Sequence, residues 1–146
     1  MFAVEIEDGI FAVKLCELER QFGRLQSRIQ LCRHADREKL NREIEQLQEE
    51  YAENALLLQK SIEACRDHPA ASLAGAQLAC IQESDRALRR KSFGASEDAA
   101  ETAALYAEYD MDFAAQAMRH ALLAALTAME LQLDGEIQEK EMCDNE

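Results

Sequence analysis

The sequence predicts an all-α fold: an antiparallel helical hairpin packed with two further helices as a four-helix, coiled-coil-like bundle. Three observations lead there. One proline and five glycines in 146 residues, with aromatics at 5% against 31% charged residues, leave too few turn formers and aromatic or β-branched runs for an all-β chain of this size. Apolar side chains recur at steps of three and four over long stretches, the spacing of one face of a helix. The strong breaks are few and fall between those stretches.

The N-terminal segment carries two signals. Phe2, Val4 and Ile6 alternate ahead of Asp8-Gly9, which suggests a short β-hairpin over residues 2–15. The competing reading has Asp8 capping a helix, and it is preferred because Phe11 and Leu15 join a pattern that runs far downstream. Phe11, Leu15, Leu18, Phe22, Leu25, Ile29 and Cys32 step by four and three and define a first helix over about 9–33. In the same register the seam would next meet Asp36, Lys39, Glu43 and Gln46, all polar, so it stops. A second stripe starts instead through Leu40, Ile44, Leu47, Tyr51, Ala55, Leu58, Ile62 and Cys65, giving a second helix over about 36–67 with Asp36 as its N-cap.

Folding the second helix back about His34-Ala35 pairs Ile29 with Leu40, Leu25 with Ile44, Phe22 with Leu47 and Leu18 with Tyr51, so each layer is apolar on both sides. Arg24 then falls opposite Glu45 and Arg20 opposite Glu49, pairs that set register more than they stabilise. The alternative is one unbroken rod from about 9 to 67, for which the lack of Gly or Pro at the turn speaks. The polar interruption of the seam speaks against it.

Pro69 marks the next boundary, being tolerated in the first turn of a helix but not in its interior. The third helix is expected over about 69–91, with Leu73, Gln77, Cys80, Ile81, Ser84 and Leu88 facing inward. After a break at Ser92-Phe93-Gly94-Ala95, Ser96 is the expected N-cap of a fourth helix over about 96–134. That helix has two apolar stripes, one through Tyr106, Tyr109, Phe113, Ala117, Ala124 and Leu131, the other through Met111, Met118, Leu122, Ala125, Met129 and Leu133. Residues 136–146 read as an acidic tail, free to fray, on a single helical domain spanning 1–146.

Composition narrows the function classes. A formal charge of −13 repels nucleic acid and anionic membrane alike, so neither is the expected partner. The longest apolar stretch, residues 121–129, falls far short of the roughly 20 residues that span a bilayer. Residues 1–8 hold no Lys or Arg, so no secretory signal is read there. Five cysteines, Cys16, Cys32, Cys65, Cys80 and Cys143, fit no disulfide framework and read as free thiols in a cytoplasmic protein.

Chemistry-bearing constellations are thin. Cys32-Arg33-His34 and Cys65-Arg66-Asp67-His68 each resemble half a metal site, but the hairpin places them at opposite ends of the second helix, about 45 Å apart. No Glu-x-x-His, the motif of di-iron bundles, occurs in the chain. His120 shares a stripe with Tyr106 and Tyr109, near Asp110 and Asp112, so it reads either as a satisfied core histidine or as the centre of an enzyme or phosphorelay site. The run His120-Ala121-Leu122-Leu123-Ala124 lacks the following lysine that phosphotransfer histidines carry. Arg86, Arg89, Arg90 and Lys91 form a basic patch, read first as partners of a helix C-terminal dipole and second as a docking point for an acidic segment.

No catalytic, cofactor or metal residue is assigned from the sequence. The expectation is a non-catalytic interaction or assembly module, adaptor- or chaperone-like, joined to a second copy of itself as a homodimer or to another helical protein. Its working surface is the apolar excess of the fourth helix: Met111, Met118, Leu122, Met129 and Leu133.

Overall fold

The computed structural model describes residues 9–90, 93 and 97–145. Four helices follow in order: α1 (Ile10–Leu31), α2 (Arg37–Ala64), α3 (His68–Arg90) and α4 (Ala99–Asp144). Among the described residues there is no strand, and the all-α expectation stands. The alternating segment 2–6 and the Asp8 cap lie outside the described residues.

Each boundary has a local cause. Gly9 takes φ +99°, a left-handed conformation that glycine adopts without a Cβ clash, and its carbonyl accepts from the Val13 N–H at 2.9 Å as α1 starts. Between α1 and α2 the amides of Cys32, Arg33 and Ala35 donate to the carbonyls of Ile29, Gln30 and Cys32. These tight three-residue closures let the chain turn without Gly or Pro. Asp36 caps α2 as expected, its carboxylate accepting from the Lys39 amide at 2.8 Å. Asp67 does the same for α3, accepting from the Ala70 amide at 3.0 Å ahead of Pro69. At α4 the expected cap, Ser96, lies outside the described residues. Asp98 occupies the N-cap position without a side-chain bond, and its carbonyl accepts from the Thr102 amide at 2.9 Å.

The chain divides into two units, Gln26–Ser96 and Met1–Leu25 with Glu97–Glu146. Within the first, Arg28 of α1 donates to Glu50 of α2 at 2.8 Å and to Glu43 at 3.3–3.4 Å. In an unbroken rod Arg28 and Glu50 would stand about 33 Å apart, so this contact shows the reversal. α2 and α3 pack on each other, and Leu78 of α3, 8% exposed, is the one buried hydrophobic side chain among the described residues.

The inward face of α3 differs from the expected one. Of the expected positions Leu88 alone is half-buried; Ala71, Ala74, Gly75, Gln82 and Asp85 join it around Leu78, whereas Leu73 is 74% exposed. Alanine is spread around this helix, so its own hydrophobicity selects a face weakly. The face that meets α2, where Ala55 and Ile62 are half-buried one heptad apart, is chosen by packing.

Arg20 pairs with Glu17 of its own helix at 3.4 Å, a partner one turn away. One further expectation needs correction. The helix expected to end near 134 continues through Gly135 to Asp144. Glycine costs a helix interior only about 1 kcal/mol, and Glu136, Gln138, Glu139, Lys140 and Glu141 are good helix formers.

Candidate interaction surface on α4

α4 is 46 residues long and buries none of them, which at 1.5 Å per residue makes a rod of about 69 Å. Every large apolar residue on it is exposed, including the large members of both stripes read from the sequence. Met111, Met118, Leu122, Met129 and Leu133 lie along one line, with Leu122 at its middle 48% exposed. Ala125 and Ala128 are half-buried beside that line. Tyr109, Phe113 and Leu131 of the other stripe are likewise exposed.

The charges on α4 are unevenly placed. Residues 99–112 carry Glu101, Glu108, Asp110 and Asp112 with no base, and residues 130–144 carry six carboxylates against Lys140. Between them, residues 113–129 hold Arg119 as the one formally charged side chain at neutral pH. The helix is thus an apolar centre between two acidic ends. Glu101, Glu108, Asp112 and Glu130 fall within about 40° of one another around the axis, along one edge of the methionine stripe.

The other sequence-derived candidates are not assembled into sites. His120, Tyr109, Asp110 and Asp112 are all exposed, so His120 is not the core histidine considered above. Ten residues separate Asp110 from His120, about 15 Å along the axis, too far for a hydrogen bond on one helix. Cys32 and His34 sit in the first turn. Cys65 lies in the second, its Sγ 3.6 Å from the Asp67 carbonyl. Among the described residues no group of three or more His, Cys, Asp and Glu is placed to hold a metal ion.

Two members of the basic patch are paired on their own helix. Arg86 pairs with Glu83 at 3.3 Å and Arg89 with Asp85 at 3.1 Å. Arg90 closes α3, and Lys91 lies outside the described residues. The residue the sequence reading passed over is Arg28. Its guanidinium is held even further toward the charged form than usual, first by the hydrogen bond to Glu50, with burial opposing and the charges of Glu50 and Glu43 adding. Its one sequence signal is its place beside Ile29 at the end of the first stripe.

No helix among the described residues is long and apolar enough to cross a membrane. No family model, no curated protein and no solved structure matches this chain.

Proposed function

We propose that this chain is a protein–protein interaction or assembly module, adaptor- or chaperone-like, which works in the cytoplasm by binding a helix along α4 and not by catalysis. The observation that carries the reading is a 46-residue helix with no buried residue and with Met111, Met118, Leu122, Met129 and Leu133 all exposed. Contiguous apolar surface of this extent on a protein marks an interface, because leaving it in water forgoes about 25 cal/mol for each Å² that could be covered. The occupant is a helix from a second copy or from another protein, since α4 offers a linear apolar stripe.

The test pairs light scattering of the full chain with hydrogen exchange along α4, for the wild type and for Leu122→Glu. Concentration-dependent protection of residues 111–133 that the substitution removes, with helix content unchanged by circular dichroism, is the expected result. If α4 stays unprotected at every concentration and in clarified lysate, and Leu122→Glu changes nothing, the reading is wrong.

A further inference from the structure

Building on that reading, we infer that the partner seated on α4 is a cationic amphipathic helix of another protein, with an apolar centre and Lys/Arg clusters near both ends. The argument rests on the placement of charge relative to the exposed apolar surface. α4 carries ten carboxylates against Arg119 and Lys140, and they sit at its two ends while the centre, residues 113–129, is almost free of charge. A second α4 laid alongside would set acid against acid in either direction, because both ends have the same sign. Like charges brought together across an interface cost specificity and stability. Nucleic acid and anionic membrane meet the same repulsion.

A helix with basic ends meets the opposite situation. Parallel or antiparallel, its cations reach Glu101, Glu108 and Asp112 at one end and Glu130, Asp134 and Glu136 at the other. From Asp112 to Glu130 is 18 residues, about 27 Å of helix, so the partner's basic clusters stand about 18 residues apart. Its apolar residues between them cover Met118, Leu122, Ala125 and Met129. The acidic edge of Glu101, Glu108, Asp112 and Glu130 beside the methionine line is where flanking charges select a partner in paired helices.

The test uses the full chain and three labelled synthetic peptides of about 26 residues: an amphipathic helix with Lys/Arg clusters near both ends, a twin with Glu at the same places, and a cationic twin with its apolar stripe scrambled. Binding is read by fluorescence anisotropy, with light scattering of the chain alone. The cationic helix is expected to bind, losing about tenfold or more in affinity between about 0.05 and 0.3 M salt. Both twins are expected to bind at least about tenfold more weakly. Asp112→Asn with Glu130→Gln, which leaves the apolar stripe intact, is expected to weaken the cationic helix several-fold, and Leu122→Glu to abolish its binding.

Equal binding of the Glu twin overturns the inference, as does equal binding of the scrambled peptide, which would reduce the attraction to charge alone. A dimer that Leu122→Glu splits, with no peptide bound, assigns α4 to a second copy; the inference then fails while the interaction surface stands. If no peptide binds and Leu122→Glu alters no association, both fall.

Discussion

Leu78 and Leu73 lie five residues apart on α3 and have the same side chain, yet one is 8% and the other 74% exposed. Replacing each with alanine therefore isolates burial from helix propensity, since both changes swap leucine for the slightly better helix former. At Leu78 the buried methyl and methylene groups are lost together with their contacts, and such a change costs about 2–5 kcal/mol in packed cores. The flanking Ala71, Ala74 and Gly75 are small, and nothing lies within 4 Å of a Cβ placed at Gly75, so α2 and α3 have room to close in. That puts Leu78→Ala at the lower end, about 2–3 kcal/mol. Leu73→Ala should fall within about 0.5 kcal/mol of the wild type.

Urea unfolding followed by circular dichroism, at a concentration where light scattering shows one species, measures both. The refuting result is a Leu73→Ala cost equal to or greater than that of Leu78→Ala. It would mean that the inward face of α3 is the line Leu73, Gln77, Cys80, Ile81, Ser84 and Leu88.

Other outcomes follow from named contacts. Asp36→Ala and Asp67→Ala each remove a carboxylate that accepts a first-turn amide, so each should cost about 1 kcal/mol in urea melts and be largely restored by Asn or Ser. Gly75→Ala and Gly135→Ala place a Cβ in open space without a positive φ and should each stabilise by about 0.5–1 kcal/mol; destabilisation at Gly135 would show that its face is covered. Arg28→Met removes the two ion pairs, to Glu43 and Glu50, that join α1 to α2 among the described residues. Because Glu50 raises the Arg28 pKa, its contribution is complete below the ordinary arginine range and is lost only as pH rises through the raised value. Titration of Arg28 thus leaves stability unchanged from mildly acidic to neutral pH, and the small loss in Arg28→Met should vanish in thermal melts at about 1 M salt, where screening acts over ~3 Å. A midpoint difference that persists there would show that the aliphatic stem of Arg28, and not its charge, matters.

The helices and most of their ends could be read from the chain because their causes are local. Asp36 finds its amide three residues away, Pro69 bars an interior position, and the first stripe fails at Asp36 and Lys39 whatever lies around it. The apolar line of α4 was legible for the same reason: periodicity along one helix needs no neighbour. The extension past Gly135 was misread because one glycine and a run of acids resemble a tail, although each residue costs a helix little.

What the tertiary structure decided is everything that depends on a second element. Alanines around α3 gave no preference strong enough to place Leu78 inward and Leu73 outward; the surface of α2 made that choice. Apolar layers written into the hairpin did not become buried layers either: Ile29 is 61% and Leu40 39% exposed. A sequence pattern marks which surface can be covered, but burial belongs to the pair of surfaces that meet.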